Sequence, residues 1–153
     1  MHPDEEDCSP RFPFGVDDAP AGYLLKMASH AIRRDIEHQL RPHGLTPKQH
    51  HALTILTLNP GITHTDLEKP LHIEKASVTS LINGMEKRGW LVRKQHPEDA
   101  RIKQIFLTEE GMQMHKVSVQ AVRQAQVRLN QAFSPEENEI LRILLRKVVN
   151  AYS

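Results

Sequence analysis

From Tyr23 to Leu40, apolar residues return every fourth position as Leu24, Ala28, Ile32, Ile36 and Leu40. Leu25 and Met27 widen that stripe, while Arg33, Arg34, Glu37 and His38 lie largely off it. Such spacing is the period of one helix face and predicts an amphipathic helix. Pro42 and Gly44 then punctuate the chain. Thr46-Pro47-Lys48-Gln49 opens a second helix running to about Leu58. Thr46 caps it, Pro47 suits the first helical position and Gln49 bonds back to the cap. Asn59-Pro60-Gly61 stops it. A third, short helix is predicted over Thr63–Lys69, where Pro70 curtails it for want of an N–H in the last turn.

A fourth helical pattern covers Lys75–Arg88, with Ile73, Ala76, Leu81, Ile82 and Met85 as its buried side. It leads into the apolar Trp90-Leu91-Val92. A charged, turn-rich segment follows from Arg93 to Arg101, and then a strand-like run, Ile102–Thr108. Helix, turn, helix, strand, turn, strand is the order of a winged helix-turn-helix. In that motif the second helix enters a DNA major groove and the hairpin can reach a neighbouring minor groove.

Beyond it, Thr108-Glu109-Glu110 caps a long helix through Met114, Val117, Ala121, Val122, Ala125 and Leu129 to about Phe133. Ser134-Pro135-Glu136-Glu137 is a capping box for a last helix, with Ile140, Leu141, Leu144, Leu145, Val148 and Tyr152 on one side. The predicted fold is mainly α with a small β-hairpin wing. Residues 46–108 form the DNA-binding domain, and residues 21–45 with 109–153 form a helical dimerisation region. The apolar stripes of the outer helices would stay wet unless paired with one another or with a second subunit, which favours a symmetric dimer. Two-fold symmetry would place two recognition helices about one DNA turn, ~34 Å, apart.

Composition narrows the class. The 153 residues are 39% hydrophobic and 25% charged, the balance of a soluble globular protein. No run approaches the ~18 apolar residues of a membrane span. The start, Met1 to Asp7, lacks the basic-then-apolar order of a secretory signal. One cysteine, Cys8, excludes an internal disulfide framework and fits a reducing cytoplasm. A net charge of +1 conceals segregation. Residues 1–20, read as a mobile acidic arm, hold six acids against one base, whereas residues 69–103 hold eight bases against four acids. A basic centre beside an acidic tail suits a phosphate-binding surface; a solvated charged face is the plainer reading.

On the fourth helix, Lys75, Ser77, Thr79, Ser80 and Asn83 occupy the polar side. Small hydroxyls allow close approach to bases and phosphates, Lys75 neutralises a phosphate, and Val78 can meet a thymine methyl. The plainer reading is the exposed side of an amphipathic helix. Arg93, Lys94 and Lys103 add charge along the hairpin. Arg101, at or just past the hairpin tip, can enter a narrow minor groove, and Asp99 can hold its guanidinium by a charge-assisted hydrogen bond. A salt bridge that merely shapes the turn is the alternative, and both can hold together.

The run from Leu71 to Val92 resembles the recognition helix of MarR-type transcriptional regulators. So do Pro97-Glu98-Asp99-Ala100-Arg101 and Leu107-Thr108-Glu109-Glu110-Gly111. Leu45-Thr46-Pro47-Lys48-Gln49 and Ser134-Pro135-Glu136-Glu137 match the starts of that family's second and last helices. The resemblance spans about residues 21–152. It implies a homodimer built on the first, fifth and sixth helices, binding pseudo-palindromic double-stranded DNA as a repressor or activator. Departures fall at Glu74, Pro70, Gly84 and Ser80, the last at a position often held by arginine. Many relatives are released from DNA by a small aromatic carboxylate. The corresponding positions are Met27, His30, Ala31, Arg34 and His51, for which plain packing is the competing reading.

Two further branches of the family set expectations. His51 resembles a ligand of its zinc sensors, but the fifth helix offers only His115, so no metal or other cofactor is expected. Cys8 would correspond to an oxidant sensor but sits among acids, which should blunt it. Nothing in the chain resembles a Ser-His-Asp set, a glycine-rich phosphate loop or paired catalytic carboxylates, so an enzyme is not expected. A winged helix that binds protein rather than DNA remains the alternative class.

Overall fold

The structure, a computed structural model, describes residues 17–153. The acidic arm through Val16, with Cys8, lies outside the described residues. The order is α1 (Ala21–Leu40), a 3-10 turn (Arg41–His43), α2 (Pro47–Leu58), β1 (Ile62–Thr63), α3 (His64–Leu71), α4 (Lys75–Lys87), β2 (Leu91–Gln95), β3 (Lys103–Leu107), α5 (Glu109–Gln131) and α6 (Pro135–Ala151).

The helix starts follow the local chemistry. Thr46 Oγ1 accepts from the Gln49 N–H at 3.2 Å while the Thr46 N–H donates to Gln49 Oε1 at 3.0 Å. Ser134 and Glu137 close the same reciprocal pair ahead of α6. Thr63 and Thr108 cap α3 and α5 through the N–H groups of Asp66 and Gly111. Helix α3 does not stop before Pro70. It continues to Leu71 and ends at His72 in the left-handed region, φ 52°. Pro70 is tolerated because its missing N–H falls in the final turn, where the cost is one hydrogen bond rather than a broken helix.

The sheet order is β1-β3-β2, antiparallel throughout. Two differences from the sequence reading arise here. Arg93, Lys94 and Gln95 are not turn residues; they extend β2, opposite Ile105, Gln104 and Lys103. And Ile62 and Thr63 form β1, a strand of two residues that is too short to show a period.

The core lies where α2, α3, α4 and the sheet meet, around Leu53, Leu56, Leu67, Val78, Ile82 and Ile105. Helix α5 docks through a seam of small residues, Gly111, Ser118, Ala121 and Ala125. Its first turn sits tight against the residue that leads into β2, since a side-chain carbon on Gly111 would lie 1.9 Å from the Trp90 carbonyl oxygen. By contrast α6 has no buried residue; Ile140 is 57% exposed and Leu144 51% exposed. Leu24 and Ile32 on α1 are also exposed.

Candidate nucleic-acid interface

Helix α4 buries Val78, Ile82 and Met85, a stripe at steps of four and three. Val78 is 0% exposed, so it is a core residue and not a thymine contact. Ala76, assigned to the buried side, is instead exposed. The error has a physical origin. Ala76 is small enough for either face, and counting it inward turned the helix far enough to bring Val78 out. With Val78 inward, Lys75, Ala76, Ser77, Ser80 and Asn83 are the exposed positions, and Thr79 is half-buried. Ala76 is the interface candidate that sequence reasoning missed. The step from Val78 to Ile82 and Met85 carried the signal.

Exposed Asn83 and half-buried Arg93 already have partners within the protein. The Arg93 guanidinium, on β2, reaches α4, where Nη2 lies 2.9 Å from Glu86 Oε2 and also donates to Asn83 Oδ1. Arg93 pairs with Ile105 across the hairpin, so it lies on the strand face that looks toward the core. This residue therefore braces the wing against the recognition helix, with its guanidinium engaged there. Lys94 and Lys103 belong to opposite faces of the hairpin by the same alternation. Lys94 Nζ lies 5.3 Å from the Phe106 ring centroid, within cation–π range, while its side chain stays exposed.

At the hairpin end, the Ile102 N–H donates to the Asp99 carbonyl at 3.0 Å and closes the turn. The Arg101 backbone N–H and Nε–H both donate to Asp99 Oδ1, at 3.0 and 3.3 Å. Those two bonds hold the Asp99 carboxyl below the usual carboxylate range, the backbone bond contributing most. The Arg101 side chain is still 91% exposed. Its guanidinium is held by Nε–H alone, and both terminal amino groups are presented to solvent.

A second polar cluster joins α2 to α5. His50 Nδ1 lies 2.8 Å from the Oγ of Ser118, which is 0% exposed, and His115 Nε2 lies 3.3 Å from Thr54 Oγ1. Burial first, then the neighbouring imidazoles His115 and His51, holds His50 below the ordinary histidine range. Burial does the same to His115. Among the described residues no group of three or more His, Cys, Asp or Glu side chains converges as metal ligands would.

Among the described residues, those assigned to an aromatic acid are divided between separate grooves. Ala31 and Arg34 line a groove with Asp35 and Arg128. His51 lines a separate groove of about 570 Å³ with Arg33, Lys48, Leu71 and Ile73. The α1 arginine beside His51 is thus Arg33, not Arg34. Met27 is half-buried and His30 exposed, nearer the start of α1.

Among the described residues no helix is long and apolar enough to cross a membrane. The MarR family model matches residues 45–103, from the residue before α2's cap to the first residue of β3. The chain is 28% identical over 130 residues to the HTH-type transcriptional repressor Rv2887 of Mycobacterium tuberculosis, covering 84% of this chain and 94% of that one. It is 30% identical over 129 residues to the HTH-type transcriptional regulator YkoM of Bacillus subtilis, covering 81% and 82% of the two chains. The transcriptional repressor CouR bound to a 23-mer DNA duplex superposes with a TM-score of 0.78 at 27% identity, over 85% of this chain and 92% of that chain. With capped helices, wing and recognition helix in matching order, this chain belongs to the MarR family and is a transcriptional regulator of that type.

Proposed function

We propose that the protein acts as a homodimer that represses transcription by binding pseudo-palindromic double-stranded DNA, with α4 in the major groove and Arg101 in the flanking minor groove. The observation that carries this reading is the Asp99-anchored, 91%-exposed Arg101 at the end of a hairpin braced against α4. A narrow minor groove concentrates negative potential, and a pre-oriented guanidinium enters it at little conformational cost. Lys75, Ser77, Ala76 and Ser80 supply the phosphate and base contacts of the exposed face of α4.

The exposed apolar residues of α1 and α6 support the dimer: among the described residues Ile140, Leu144 and Val149 are half or more exposed, and Leu24 and Ile32 are partly so. The groove beside His51 supports release by a small aromatic carboxylate, since Arg33 and Lys48 can pair with the acid while Leu71 and Ile73 face the ring. The test is binding to duplexes selected from random sequence, repeated across salt concentration and with benzoate-type acids added. Phosphate-driven affinity falls by orders of magnitude from low to moderate salt. Salt-independent binding, or none to any duplex, would leave a protein-binding winged helix as the better reading.

A further inference from the structure

His64, the first residue of α3, faces the recognition helix. Its Nε2 lies 3.2 Å from Thr79 Oγ1, and the same hydroxyl donates to the Lys75 carbonyl at 3.0 Å. On its other side His64 Nδ1 lies 3.7 Å from Glu68 Oε1. The three side chains form a line, carboxylate to imidazole to hydroxyl, that ends at the half-buried Thr79, beside the exposed face of α4.

A threonine hydroxyl has one proton and two lone pairs. With Nε2 unprotonated, two inward acceptors compete for the one Thr79 proton. With Nε2 protonated, the ring donates to Oγ1 and the Thr79 proton goes to the Lys75 carbonyl, the back-bond habitual for threonine within a helix. Either way the proton points inward. What remains for a ligand is a lone pair and the γ-methyl group.

We propose that His64 is a positioning residue for DNA reading. It fixes the Thr79 hydroxyl as an acceptor, so that Thr79 meets an exocyclic amino group of adenine or cytosine in the major groove. Phosphate oxygens, guanine O6 and N7, and thymine O4 are themselves acceptors and are refused. This inference rests on the proposed DNA-binding function and adds a residue outside the recognition helix to it.

The test selects duplexes with wild type, His64→Gln, His64→Leu, Thr79→Val and the Leu/Val double variant, with thermal unfolding run beside each. Gln keeps an amide near the Nε2 position. Wild type and His64→Gln should share one preferred sequence. His64→Leu and Thr79→Val should each lose roughly 3- to 10-fold discrimination at the same base pair, the worth of one hydrogen bond, and the double variant should lose no more than either. In the selected site, purine replacing that adenine, or 2-pyrimidinone replacing that cytosine, should weaken wild type but not Thr79→Val. A uniform affinity loss in His64→Leu, a change at a different base pair, or equal tolerance of the amino-free bases overturns the assignment of His64 and Thr79 alone. Selection of no duplex by the wild type overturns the DNA-binding reading, and this inference with it.

Discussion

Arg93 and Glu86 tie the wing to the recognition helix: Arg93 Nη2 on β2 lies 2.9 Å from Glu86 Oε2 on α4, with Asn83 completing the clamp. One cation thereby spans the two elements that the proposed binding mode places in adjacent grooves. Arg93→Met should cost about 1 kcal/mol of stability, typical of a partly exposed pair, and should weaken duplex binding without changing the preferred sequence. Arg93→Lys should not restore it, because a point charge cannot satisfy two acceptors as a planar fork does. Urea unfolding and binding titrations read both effects. A changed base preference in Arg93→Met would place the residue on the DNA instead.

Arg101 is the opposite case, exposed and therefore cheap to remove. Arg101→Ala should leave the unfolding midpoint within experimental scatter and reduce duplex affinity at least ~10-fold, with the salt slope lower by about one. Asp99→Asn keeps an acceptor but not its charge and should fall between the two. Unchanged affinity in Arg101→Ala would mean that the wing does not touch DNA.

Two glycines have opposite expectations. Gly111 is where α5 meets the Trp90 carbonyl, and the 1.9 Å approach of an added carbon cannot be relieved without moving backbone. Gly111→Ala should destabilise by about 3 kcal/mol or more, the range of overpacked or displaced elements. Gly84, inside α4, has nothing within 4 Å of an added carbon. Gly84→Ala should therefore stabilise by about 0.5–1 kcal/mol through helix propensity. Denaturation at fixed protein concentration measures both, and a stable Gly111→Ala protein would show that α5 can shift.

Much of this was legible from the chain because local chemistry and global fold agree. The Thr46 and Ser134 capping boxes, the hairpin with Asp99 and Arg101, and the apolar stripes each point to the element that forms. What was not legible is tertiary. Strand β1 exists only because Ile105 pairs with Ile62. The rotation of α4 is set by Val78 meeting the core, which a nearby alanine obscured. The contact between Arg93 and Asn83 appears only once the strand brings them together. From the chain His64 offers only a partner for Glu68 one turn on; its contact with Thr79, 15 residues away, leaves no trace there.

The α2–α5 imidazoles predict acid sensitivity. Both His50 and His115 titrate below their unfolded value of 6.5. Below that pH the unfolded chain binds more protons than the folded one, so stability falls as pH drops from about 6.5, and it is unaffected well above. Urea midpoints measured from pH 8 to 5.5 should decline over the lower half of that range. His50→Gln, which can still bond Ser118 but carries no charge, should flatten the decline. An equally steep profile in His50→Gln would assign the effect to other groups.

Helix α6 provides the test of assembly. Leu144 is half exposed, on a helix with no buried residue, so a charge there should disturb the protomer's own fold little. At a dimer interface the same charge would be desolvated without a partner, a penalty of several kcal/mol. Leu144→Glu should therefore raise the dimer dissociation constant by ~100-fold or more, read by sedimentation, while helical circular dichroism is retained. Affinity for a full palindromic site should drop toward that for a half-site, because two linked contacts become independent. If wild type and variant sediment alike, α6 is not the dimer surface and its apolar face has another occupant.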